Sequence, residues 1–177
     1  MRNPRMLSMT LAAVVLGHVP ARAAAPKGLE PLRFLLGDWQ AEGGGRPGEA
    51  TGGFTFASSL QDHVIVRTNY AEYPATADKP SSRHDDLMVV YTTESGEIRA
   101  EYYDSEGHVI RYVGSTNSPN EVTLVSEALS GAPRFRLNYK LAADGVLAGR
   151  FEVAPPGKPE SFGPYLSWAS RRRSASK

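Results

Sequence analysis

Apolar and polar side chains alternate with a period of two along most of the chain after residue 38. In Phe135-Arg136-Leu137-Asn138-Tyr139-Lys140-Leu141, one face is Phe135, Leu137, Tyr139 and Leu141, and the other is Arg136, Asn138 and Lys140. Successive strand side chains point to opposite sides, so the first set faces a core and the second faces water. Segments of this kind at 39–43, 53–58, 62–70, 86–92, 97–104, 107–114, 121–128, 133–141, 146–153 and 163–170 predict ten strands. The connections are mostly tight, as in Glu94-Ser95-Gly96-Glu97, Asp104-Ser105-Glu106-Gly107 and Ala143-Asp144-Gly145. Asp-Gly suits a two-residue hairpin because both positions take positive φ. Consecutive hairpins pair neighbouring strands in order, and closing that meander into a barrel removes its exposed edges. Ahead of the strands, Leu29, Leu32, Arg33 and Leu36 have helical spacing, and Gly37 is placed to end the turn in a left-handed conformation. The expected fold is all-β, an up-and-down antiparallel barrel of about ten strands with a short N-terminal helix capping one end and Trp39 pointing into it.

The first residues break this pattern. Arg2 and Arg5 precede an apolar run from Met6 to Val19, and Ala21-Arg22-Ala23 has the small-x-small form of a signal-peptidase site. The run is too short to span a membrane. The expected organisation is a signal peptide 1–23, a linker 24–28, a barrel domain 29–173 and a disordered tail 174–177, giving an exported, periplasmic or extracellular protein. Removing residues 1–23 takes Arg2, Arg5 and Arg22 from the 20 basic residues and none of the 19 acidic ones, so a formal charge of +1 becomes −2. That balance offers nothing to nucleic acid or an anionic membrane. The chain has no cysteine, which excludes disulfides, thiolate catalysis and cysteine-ligated metals.

Several strands lack a clean wet face, as a barrel with a partly polar lumen would. His63 shares a face with Ile65, Arg67 and Asn69 and is the histidine expected to look inward. Arg67, Arg99, Arg111 and Arg150 lie mid-strand, where burial demands a carboxylate partner or an anionic ligand. Glu101 and Glu152 are available to neutralise them. His84-Asp85-Asp86 resembles a metal cluster in one dimension. Adjacent strand residues face opposite ways, however, so only His84 and Asp86 share a face, and two ligands do not make a site. His108 can reach Asp104 across a hairpin, either as a turn stabiliser or as an acid–base pair. The connection 71–83 is long enough to cover a barrel mouth.

Gly37-Asp38-Trp39 after an apolar turn, ten meander strands, and Trp168 followed by three arginines resemble the calycin superfamily: lipocalins, fatty-acid-binding proteins and the bacterial barrels related to nitrobindin. The resemblance implies that Gly37 and Trp39 open the first strand and that a basic residue of the last strand packs over the indole. Arg171 is the best match for it, with Arg172 and Arg173 as competitors. The nitrobindin-like branch carries Gly-x-Trp-x-Gly-x-Gly and binds haem through a histidine near its C-terminal end. Here Ala41 replaces the middle glycine and no histidine follows His108, so neither haem nor another cofactor is expected. By analogy with fatty-acid-binding relatives, Arg67, Arg99 or Arg111 with Tyr102 or Tyr112 would hold a carboxylate head group.

The expectation is therefore an exported barrel that binds a small amphipathic or hydrophobic molecule, with His63, Arg67, Asn69, Arg99, Tyr102, Arg111 and Tyr112 as lumen candidates. The alternatives are an envelope interaction module with a packed lumen, or an enzyme using His63 or the His108/Asp104 pair. No nucleophile elbow, metal triad or phosphate loop in the sequence supports the enzyme.

Overall fold

A computed structural model describes residues 28–42 and 50–173. The expected signal peptide, the linker as far as Lys27, the Gly43-Gly44-Gly45 run and the tail 174–177 lie outside these residues. The described chain begins with a 3-10 helix, Glu30–Leu35, followed by ten strands: β1 Gly37–Ala41, β2 Thr51–Ser59, β3 Val64–Tyr73, β4 Ser82–Thr92, β5 Ile98–Asp104, β6 Val109–Ser118, β7 Glu121–Ser126, β8 Arg134–Leu141, β9 Leu147–Ala154 and β10 Gly163–Arg172. Every neighbouring pair is antiparallel, and β1 pairs with β10 to close the barrel. The fold is thus a closed ten-stranded up-and-down meander. Among the described residues, no helix is long and apolar enough to cross a membrane.

The turns alternate between the two ends of the barrel, and the helix marks one of them. Leu29, Leu32 and Leu35 are buried there. Trp39 lies beneath, 1% exposed, with its Nε1–H donating to the Leu35 carbonyl at 2.7 Å. Above it, Phe54, Phe56, Tyr139 and Trp168 form a chain of ring contacts with centroids 5.5–6.1 Å apart. Burying rings of this size stabilises by roughly 1.5–3 kcal/mol each, so this aromatic column is a main part of the core. Gly149 belongs to it. A Cβ there would meet the Trp168 indole, which lies flat on the bare backbone.

Three expectations change. Gly37 does not cap the helix; Leu36 has already turned to extended geometry, and Gly37 enters β1 at φ +129, a value that favours glycine. Arg171 is not the lid on the tryptophan. Trp39 and Arg172 are cross-strand partners, which sets the Arg172 guanidinium over the indole at 4.5 Å, while Arg171 one position away faces outward to Glu42 at 2.5 Å. The connection expected at 71–83 shrinks to 74–81, because β3 and β4 stay paired as far as Tyr73 and Ser82.

Candidate functional site

The end of the barrel away from the helix holds a polar network. On β3, Arg67 and Asn69 point inward, and opposite them on β4 stands Asp86. Arg67 Nη1 donates to Asp86 Oδ1 and Asn69 Nδ2 to Asp86 Oδ2, each at 2.7 Å. The arginine and aspartate side chains are 7% and 4% exposed, so this ion pair is fully desolvated. Burial by itself would lower the Arg67 pKa, but the neighbouring Tyr139 and Asp86 leave it raised, and the guanidinium stays charged. Its plane lies near the Phe54 and Tyr139 rings, 5.4 and 6.0 Å from their centroids.

Four buried side-chain atoms have no hydrogen-bond partner among the described residues, Thr92 Oγ1 and Ser170 Oγ toward the helix end and two donors further up the lumen. Arg67 Nε and Tyr139 Oη are both buried without a hydrogen bond. An unmade hydrogen bond on a buried group costs roughly 1–3 kcal/mol. Tyr112 is also buried, and Tyr102 is half-buried. Burial raises the phenol pKa of all three tyrosines, with Tyr139 pushed up to about 12. They remain protonated donors across the physiological range.

Nearer the mouth the network continues through His84, two residues before Asp86 on the same inward face. Its Nε2 lies 3.1 Å from Tyr102 Oη and 3.4 Å from Asp86 Oδ2, and its Nδ1 lies 2.7 Å from Glu106 Oε2. Asp104, opposite Asp86 in the β4–β5 register, accepts from the backbone N–H groups of Glu106 and His108 and meets His108 Nδ1 at 2.9 Å. Burial would raise the Asp104 pKa, but the bonds from His108 hold it below the usual carboxylate value.

Of the seven lumen candidates, the structure brings together Arg67, Asn69, Tyr102 and Tyr112. Arg99 and Arg111 face outward, because their parity on β5 and β6 is opposite to that of Tyr102 and Tyr112. Arg99 pairs with Glu97 at 2.8 Å and Glu127 at 3.3 Å, and Arg111 with Glu101 at 3.7 Å. His63 lies in the β2–β3 turn behind Leu60, Gln61 and Asp62, all with positive φ, at the end opposite the polar network. Arg150 is outward too, sharing the buried Glu152 with Arg136 at 2.9 and 2.5 Å. Asp86, His84, Tyr139 and Glu106 are additions to the expected set. His84 and Asp86 carried a signal in their i, i+2 spacing; only strand pairing brings Asp104 and Glu106 beside them.

Two open clefts lie on the outside of the wall. One of about 340 Å³ runs over β1–β4 beside Asp38, Thr55, Tyr70, Arg83 and Asp85. The other, about 490 Å³, flanks the β3–β4 hairpin beside Thr51, Glu72, Tyr73 and Ser81. The class defined by fold and site is a closed antiparallel barrel with an aromatic lower half and a charged, hydrogen-bonding upper half. The chain matches no protein-family model and no curated protein.

Proposed function

We propose that this is an exported calycin-like barrel that binds a small amphipathic molecule at the upper end of its lumen. The observation that carries this reading is that two of the four buried polar atoms without partners, Arg67 Nε and Tyr139 Oη, lie by the aromatic floor. An acceptor on a ligand would relieve both, while its apolar part would lie against the rings. The bound head group is neutral, a carbonyl or hydroxyl in place of the carboxylate that the fatty-acid-binding analogy suggested. Asp86 already neutralises Arg67 at 2.7 Å, and a second buried anion would be repelled by it. Calycin membership is supported by the Gly37-Asp38-Trp39 opening, the closed meander and the Arg172 lid on Trp39. Export is supported by the leader-like residues 1–23.

An interaction module with a filled lumen is the second reading. It draws on a row of exposed apolar residues, Leu87, Tyr103 and Val109, which are register partners across the outer face of β4, β5 and β6. Native mass spectrometry of the protein purified from its own compartment, compared with a denatured extract, separates the two. Release of a reproducible mass excess on denaturation, reduced at least tenfold in Tyr139→Phe, is expected for the ligand-binding barrel. A clean unliganded mass, with no uptake of fatty alcohols or monoacylglycerols on titration, would move the assignment to the interaction module.

A further inference from the structure

His84, Asp104 and Glu106 each offer a donor atom within 4.8 Å of the other two, at the barrel mouth where β4 meets the β5–β6 turn. Two features separate this group from an ordinary surface ion-pair cluster. Asp86 and Asp104 are directly opposite each other on adjacent strands, and their side chains are only 4% and 6% exposed. Like charges so placed destabilise a sheet unless something positive stands near both. Arg67 and Asn69 serve Asp86, and Asp104 is served from the exposed turn by the backbone N–H groups of Glu106 and His108 and by the His108 ring.

The second feature is the orientation of His84. Carboxylates approach both of its ring nitrogens, Asp86 at Nε2 and Glu106 at Nδ1. With Nε2–H directed at Asp86, the Nδ1 lone pair faces the Glu106 carboxylate and calls for a cation; in the other tautomer Nδ1–H donates to Glu106 and Nε2 accepts from the Tyr102 phenol 3.1 Å away. The Nε2 side is the rigid one, since Asp86 is fixed by Arg67 and Asn69. A carboxylate that takes the far N–H of an imidazole is the usual outer support of a metal-bound histidine, setting both its tautomer and its angle. The Nδ1 side is the adaptable one, since Glu106 is half exposed in a turn. A proton there would join His84 to Glu106 alone; a metal ion would also use Asp104.

We propose that His84 Nδ1, Asp104 and Glu106 form a binding site for a divalent transition-metal ion of the zinc type, with Asp86, Arg67 and Asn69 as its supporting shell. One imidazole and two carboxylates suit such an ion, and three protein ligands leave a fourth position for water or an exogenous ligand. Metal–ligand distances of about 2.0–2.2 Å require the donor atoms to close in, which the Glu106 side chain can do by rotating. The site stands independently of a lumenal ligand, because none of its three donors is among the unpartnered groups deeper in the barrel.

The test is calorimetric titration of the tag-free full chain with zinc chloride at pH 8, where His84 is more readily stripped of its proton. Glu106→Gln and His84→Gln are compared with wild type, and His63→Gln serves as the control. Expected are one equivalent bound by wild type and by His63→Gln, and affinity at least tenfold weaker in the other two variants. Absence of stoichiometric binding to wild type, or a loss smaller than tenfold in Glu106→Gln, overturns the proposal. Glu106→Gln decides even if His84→Gln perturbs folding, since residue 106 is an exposed turn position outside the barrel wall.

Discussion

Arg67 carries a permanent charge into the barrel, and the stability of the upper lumen depends on its partner. Replacing one member of a buried ion pair strands the other, at a typical cost of about 3–5 kcal/mol, whereas replacing both with apolar residues of similar volume is often neutral. Arg67→Met is therefore expected to lower unfolding stability by about 3–5 kcal/mol in chemical denaturation, and Arg67→Met/Asp86→Leu to recover most of that loss. A double variant no more stable than the single one would mean that Asp86 is not the group left exposed to the cost. Asn69 and His84 also touch Asp86, so recovery is expected to be incomplete.

At the scale of elements, the 3-10 helix is too short to hold itself and is fixed by what docks on it. Trp39 reaches its last carbonyl from below. Arg172, lying over the Trp39 ring at 4.5 Å, donates to the carbonyls of Leu36 and Phe34, the latter at 3.0 Å. A cation–π contact of about 0.5–2 kcal/mol together with charge-assisted bonds to carbonyls makes Arg172 the clasp between the last strand and the helix. Arg172→Ala is expected to cost about 1–2 kcal/mol and to lower the thermal midpoint by several degrees. Arg171→Ala, which removes an exposed pair with Glu42, should change stability by less than about 1 kcal/mol. Differential scanning calorimetry of the two variants measures the contrast, and equal effects would contradict the assignment of the clasp to Arg172.

For the molecule as a whole, closure is uneven. Along the seam, the β1–β10 register among the described residues covers Trp39–Ala41 against Ser170–Arg172, with one backbone bond beyond each end, Glu42 N–H to the Ala169 carbonyl and Arg173 N–H to the Asp38 carbonyl, whereas β3 and β4 pair over Val64–Tyr73 against Ser82–Tyr91. Opening a short ladder exposes fewer hydrogen bonds and less apolar surface, so the seam is expected to open below the global unfolding free energy. Native-state hydrogen exchange should show amides of β10 near Ser170 exchanging through a sub-global opening while those of β3 and β4 exchange only by full unfolding. Uniform protection around the barrel would indicate that Trp39 and Arg172 compensate for the short ladder.

Ten strands, their order and the closure of the sheet were legible from period-two alternation and tight turns, because both are local consequences of how a strand presents its side chains. The inward place of Arg67 and Asn69 followed from their parity with Ile65. What residues 71–73 and 82–85 do, which arginine covers Trp39, and which arginines turn outward depended on register, and one position of slip exchanges the two faces. Arg99 and Arg111 have the composition of anchors but the parity of surface residues, paired to Glu97, Glu127 and Glu101. The mouth cluster was beyond a linear reading for the same reason. His84 and Asp86 share a face by spacing alone, but Asp104 and Glu106 join them only because β5 folds back against β4 with Asp104 opposite Asp86. Local alternation thus determined the barrel, and the pairing of distant strands decided which charges meet inside it.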